Sequence, residues 1–350
     1  MLHPQFGKRP SGTRLEIIKN SPQYKNGAFN NTHDTPQVTK NIGIALYEFF
    51  FKKSKNIKPQ HRIPTIPIDW DQVNQQENTL IWLGHSSYLM RIDGKNILVD
   101  PVLSGSASPL PGGTQSFEGT DIVTAEQLPN IDYLFISHDH YDHLDYKTIK
   151  ALQNKVGKVI TGLGGGAHLE YWGYTPAQII EADWWDELVL EEGFTVTVTP
   201  ARHFSGRSIG TANTLWASFA LRTPQHNLYL GGDSGYDTHF KEIGEKLGPF
   251  DLAILENGQY DSGWKYIHMM PEEVVKATKD LQANVLFPVH SSKFVLTNHA
   301  WNEPLDRVSA EAVKQNQAVT TPLIGEVVNL KSINKNPTYW WKIDEHEAAR

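Results

Sequence analysis

The segment FISHDHYDHLD, Phe135 to Asp145, places three histidines and three aspartates in the eight residues from His138 to Asp145. It follows an apolar run, Ile131 to Ile136, that reads as a buried strand. Imidazole nitrogens and carboxylate oxygens are good ligands for Zn²⁺ and similar ions. Loops at strand ends suit this work because the scaffold aims them. A polar surface turn is the bland reading. Crowding so many ionisable groups behind a buried strand is costly, however, unless something binds them. His138 and His140, two apart, share one metal if the turn brings them together, while Asp142 and His143 face a second.

One turn leaves a metal under-ligated, and three further strands end in the same way. TVTVTPARHFSG ends with His203, NLYLGGDSGY with Asp233 in a glycine-rich turn, and ANVLFPVHSS with His290. Alone, His203 or His290 reads as a structural histidine and Asp233 as a turn cap. Their repeated placement after strands carries the signal.

The elements that must position these residues are visible from about Thr79. TLIWLGHSSYLMRIDGKNILVDP reads as three strands with a turn at Asp93-Gly94. Further strands are expected at 133–137, 159–162, 187–190, 195–199, 215–221, 227–231, 252–255 and 285–289. Helices are expected at 146–154, 167–172, 237–247 and 271–281. Pro271 with Glu272 and Glu273 behind it suits a helix start. Residues 1–75, rich in Asn, Pro, Lys and Gln, read as an N-terminal arm with one short helix near 42–51. Residues 76–330 form the main domain and 331–350 a C-terminal tail. The fold class is α+β, two sheets covered by helices.

The 350 residues carry a formal net charge of −7 and no cysteine. That balance disfavours a nucleic-acid partner, which would need a basic surface, and it excludes disulfides and a thiolate nucleophile. No signal-peptide core and no run near the roughly 18 apolar residues of a membrane span is visible. The expected location is the cytoplasm, with peripheral membrane contact through the arm as a second possibility. IGIALYEFFFKK sets Ile42, Leu46, Phe49 and Phe50 near one helical face beside Lys52 and Lys53, the make-up of an interfacial helix. Packing that face on the main domain is the commoner use, and the net negative charge favours it. Oligomeric state is not legible.

The motif H-x-H-x-D-H, the later histidine, the Gly-Asp turn and the final histidine stand in the order of the metallo-β-lactamase superfamily, which the chain resembles over about Thr79 to Trp301. The resemblance implies an αββα sandwich with the site at one edge of its sheets. It assigns His138, His140 and His203 to one metal, Asp142, His143 and His290 to another, and Asp233 to a bridge. Two divalent ions are implied, Zn first, with Mn or Fe also accepted by these donors. WLGHSSYLMRIDGKNILVDPVLSGSASP, IIEADWWDE and LGPFDLAILENGQYDSGWKYIHMMPEEVVKA resemble the N-acyl-phosphatidylethanolamine-hydrolysing phospholipase D family and its bacterial relatives. That likeness marks His268 as a residue lining the active site. It offers His85, Trp184, Trp185 and Tyr260 as substrate contacts, although His85 reads equally well as a buried, bonded histidine and the tryptophans as packing.

The function implied is a phosphodiesterase of phospholipase D type acting through a metal-bridging hydroxide on a small-molecule or lipid substrate. Asp142 and Asp233 would balance and orient the centre, and His268 would protonate the leaving alkoxide or bind a phosphoryl oxygen. Asp145 is the expected partner of a ligand imidazole. A lactonase or carboxylic ester hydrolase on the same scaffold is the alternative. A purely structural metal site is disfavoured, since such sites close one ion with four ligands.

Overall fold

The computed structural model describes residues 3–40, 43, 54–110, 112–207 and 213–342. Its described helices are α1 (Thr13–Lys19), α2 (Trp70–Gln75), α3 (Tyr146–Leu152), α4 (Gly166–Tyr171), α5 (His239–Leu247), α6 (Pro271–Asp280) and α7 (Glu303–Lys314). A small hairpin, β1 (Tyr24–Lys25) and β2 (Ala28–Phe29), precedes two larger sheets. The first has seven strands. These are β3 (Thr79–Trp82), β4 (Tyr88–Ile92), β5 (Lys95–Val99), β6 (Ile131–Ile136), β7 (Val156–Gly162), β8 (Ile179–Ala182) and, added beside β3, β16 (Val327–Asn329). The second also has seven. They are β9 (Glu187–Glu191), β10 (Phe194–Thr199), β11 (Ser218–Arg222), β12 (Asn227–Leu230), β13 (Phe250–Glu256), β14 (Ala283–Val289) and β15 (Ala318–Val319).

Period-two alternation explains the layering. Leu80 and Trp82 point into the central core, while Ile81 and Leu83 join an outer cluster with Ile149 and Leu152 of α3 and Leu169 of α4. In the second sheet Leu252 and Ile254 face the centre. Ala253 and Leu255 face Phe240 of α5, Val274 of α6 and Val308 of α7. Both sheets are thus apolar on both faces, and the order is helices, sheet, sheet, helices, the expected αββα sandwich.

Strand direction sets the site. β10 is antiparallel to β11, β11 to β12, and β12 to β14 run parallel, so β10, β12, β13 and β14 all end at one edge. His203, Asp233 and His290 leave the second sheet at that edge.

Where elements differ from expectation, bonding explains it. The strand expected from Leu215 begins at Ser218, because Leu215 and Ala217 donate their N–H groups to Leu163 and Ser137 O of the first sheet's loops. Helix α7 was not expected, although Pro304 and the acids Glu303 and Asp306 stand in its first turn; it buries mostly small side chains. The helix expected near 42–51 lies outside the described residues. The described part of 1–75 holds α1, α2 and the β1–β2 hairpin. Toward the C-terminus, Trp340 and Trp341 are buried in the central core.

Candidate metal centre

His138 and His140 follow β6, and His203 follows β10. His138 Nε2 lies 2.9 Å from His140 Nδ1, which is 3.3 Å from His203 Nε2. Beside them His85, Asp142, His143 and His290 each bring a donor atom within 4.8 Å of the others. Asp233 stands between the two sets. Its Oδ2 is 3.8 Å from His138 Nε2, 3.7 Å from His203 Nε2 and 3.2 Å from His143 Nε2, and its Oδ1 is 3.2 Å from His290 Nδ1. The structure therefore brings all seven candidate ligands together. All are buried except His140, which is half-buried.

The donors fit a cation. Burial keeps the His138, His203 and His290 imidazoles well below the ordinary histidine range, and His140 and His85 below it. Neutral rings keep a lone pair for a metal. Burial works against ionised Asp142 and Asp233, but the charge on His143 leads the neighbours that outweigh it, and both carboxyls stay well below the usual range. Burial likewise opposes a charged His143, yet Asp233, Asp142 and Asp100 hold a proton there well above the ordinary range. Metal and proton compete for the same lone pair, so a divalent ion among those anions displaces it. His143 Nε2, His290 Nε2 and Asp233 Oδ1 are buried with no hydrogen-bond partner, an arrangement that native interiors avoid unless something else satisfies the atoms.

The supports differ from the expectation at one point. Asp145 does not hold an imidazole. Its carboxylate caps α3 through Lys147 N at 3.2 Å and Thr148 Oγ1 at 2.5 Å, and it reaches Ser104 N at 3.2 Å. Its place directly before a helix makes the cap the stronger use. The imidazole partner is Asp100, after β5: His143 Nδ1 donates to Asp100 Oδ2 at 2.8 Å, and Ser137 N donates to Oδ1 at 2.8 Å. Asp100 had a legible signal, an acid ending an apolar strand as in the ligand runs. His203 Nδ1 donates to Ile267 O at 2.8 Å, and His85 Nε2 to Asp142 Oδ2 at 2.9 Å. His85 is thus fully buried and steadies a ligand carboxylate. Its loop is stitched to the His290 loop, since His290 N donates to His85 O and His85 N to Ser291 O. Asp139, the motif's remaining acid, accepts from Gly206 N at 2.7 Å and lies 3.2 Å from His168 Nε2.

His268 sits over the ligands. Its ring stacks on His290 with centroids 5.4 Å apart and meets His203 edge-on at 5.1 Å. Glu256, the last residue of β13, is buried with Oε2 3.7 Å from His268 Nδ1, and neither atom has a hydrogen-bond partner. Burial pushes the Glu256 carboxyl up to about 7. Burial opposes charge on His268, but the facing Glu256 raises it overall. Sequence reasoning missed Glu256, whose position at the end of a continuously apolar strand was the available signal.

Three proposed substrate contacts have bonds or packing of their own. Trp184 is buried with Nε1 donating to Trp216 O at 2.8 Å, and Lys246 Nζ sits 4.2 Å above the Trp185 ring. Both line a cavity of about 310 Å³ that includes Arg202 and His239 but none of the seven ligands. Tyr260 donates its hydroxyl to Glu303 at 3.0 Å and stacks on His299.

Residues 95–291, more than half of the chain, match the Beta-lactamase superfamily domain. The uncharacterized protein Rv0906 of Mycobacterium tuberculosis is 38% identical over 336 residues, which cover 93% of this chain and 89% of that protein. The N-acyl-phosphatidylethanolamine-hydrolyzing phospholipase D 1 of Caenorhabditis elegans is 28% identical over 332 residues, 89% of this chain and 93% of that one. Igni18, a metallo hydrolase of the archaeon Ignicoccus hospitalis, shares the fold with a TM-score of 0.54 at 22% identity over 72% of this chain and 97% of its own. With the αββα layers, the gathered histidines and aspartates and the matched domain in agreement, the chain belongs to the metallo-β-lactamase superfamily of metal-dependent hydrolases.

Proposed function

We propose that this protein is a dinuclear metal phosphodiesterase of phospholipase D type. The observation that carries the reading is Asp233, one carboxylate facing His138, His143 and His203 with Oδ2 and His290 with Oδ1. One set, His138, His140 and His203, would hold one ion, and Asp142, His143 and His290 the other, with Asp233 shared. The likeness to the Caenorhabditis elegans phospholipase, spread over nearly the whole of both chains, supports the phosphodiester class.

Two divalent ions held there would supply positive charge at the reacting centre and a water acidified to near neutral pH. The chain's own residues do the rest. Asp142 and Asp233 stay ionised and neutralise part of that charge. Asp100, Ile267 O and the His85–Asp142 pair fix the ligand orientations, so little reorganisation accompanies reaction. His268 packs its ring against those of His290 and His203. With Nδ1 toward Glu256, whose carboxyl favours the charged ring, its Nε2 is left to give a proton to the departing alkoxide.

The purified metal-loaded protein should release a phosphate monoester from bis-p-nitrophenyl phosphate and from a lipid phosphodiester. Turnover of a lactone panel with no phosphodiester hydrolysis would replace this reading with a carboxylic ester hydrolase.

A further inference from the structure

His203 lies beyond the end of β10, where the sheet no longer pairs its peptide groups. A residue of the N-terminal arm pairs them instead. Asn31 Nδ2 donates to His203 O at 2.7 Å, and His203 N donates to Asn31 Oδ1 at 3.1 Å. The same Oδ1 accepts from Trp216 Nε1 at 3.0 Å. One carboxamide thus matches both backbone groups of one residue, as a neighbouring strand would. The His203 ring is fixed independently, through Nδ1 to Ile267 O. Backbone and ring together leave Nε2 aimed at His140 Nδ1, 3.3 Å away.

From this geometry we infer that Asn31 is a positioning residue for the metal centre, acting through His203. The assignment rests on the metal-site reading above and is independent of the substrate. Residues that orient a ligand commonly matter tenfold to a hundredfold in metal affinity, and Asn31 sets where a ligand's backbone sits. Its neighbours give the control. Arg202, on the other side of the arm contact, donates from Nε to Thr35 Oγ1 at 2.9 Å. Thr35 holds the arm without touching His203's peptide groups.

The test uses the full chain stripped of metal and titrated with Co²⁺, whose visible absorption reports ligand geometry. Asn31→Ala should weaken Co²⁺ binding tenfold to a hundredfold and alter the absorption bands of the bound ion. Thr35→Val should leave both near wild type, although the metal-free protein unfolds at lower temperature. Asn31→Ala with wild-type affinity and unchanged bands overturns the assignment. So does an equal loss in Thr35→Val, which would mean that arm docking in general, not the Asn31 carboxamide, sets the site. A wild-type chain that takes up no Co²⁺ removes the metal reading and this assignment with it, whereas failure to cleave phosphodiesters touches neither result.

Discussion

His268 lies against two ligand rings and yet is not needed to complete either set, so binding and rate should separate there. His268→Ala is expected to retain its metal, measured by elemental analysis after dialysis, while kcat falls by roughly 10²–10⁴, the usual worth of a positioned proton donor. A metal-depleted variant would instead make His268 a ligand, since one of its nitrogens clusters with His203 and Asp233. His239 offers a test of a different kind. Burial lowers its imidazole from 6.5 to about 3, the pull of Asp237 notwithstanding. The unfolded chain therefore takes up this proton first as pH falls. The contribution of His239 to stability is intact above pH 6.5 and declines down to about 3, by up to about 1.4 kcal/mol per pH unit. In urea unfolding of metal-free protein, His239→Gln should lose stability less steeply than wild type across that window. Parallel slopes would show that the ring is already charged in the folded state.

At the scale of elements, helix α5 runs so close to the end of α6 that it needs a glycine. A Cβ on Gly244 would stand 2.0 Å from Asp280 O and 2.9 Å from Leu281 Cα. Alanine in a helix interior normally gains about 1 kcal/mol over glycine. Overpacking of about 1–3 kcal/mol should reverse the sign here, so Gly244→Ala is expected to lower the thermal midpoint; a rise would mean that the helices part easily. Elements also decided what could be read in advance. The ligand-bearing strands were legible because an apolar or alternating strand run followed by His or Asp is a local pattern. Asp145 was misread because an acid one residue before a helix looks the same whether it caps the helix or holds a ring. Glu256 was passed over because an acid closing a strand usually meets water. Asn31 was illegible for a plainer reason: its partner His203 is 172 positions away, and no period or spacing links the two.

For the molecule as a whole, the candidate metal centre joins the two sheets, with the loop after β6 of the first sheet bringing four candidate ligands and the second sheet His203, Asp233 and His290. Wild-type protein is expected to carry close to two divalent ions per chain. Asp233→Ala should lose most of both, together with hydrolysis, because the carboxylate faces both sets. Elemental analysis showing one tightly held ion with full activity would reject the dinuclear centre. The arm binds the same rim from outside. Arg207 donates to Gln5 O, Asn31 grips His203, Thr39 N donates to Gly263 O, and Lys40 pairs with Asp261 at 2.9 Å.

This threading has a consequence for biosynthesis. Gln5 meets Arg207 across 202 positions of sequence. At about 5–20 residues per second, roughly 10–40 s of translation separate the two. The arm's other docks are distant as well, Trp172 for Pro4 and Glu170 and Glu181 for Arg14, and the 203–207 loop is made after them. The rim around His203 is therefore assembled late, by contacts of very high sequence separation, which fold slowly. A ribosome-stalled chain ending before His168, which binds Lys8 N, should keep its arm open to protease, and full-length chains should protect it.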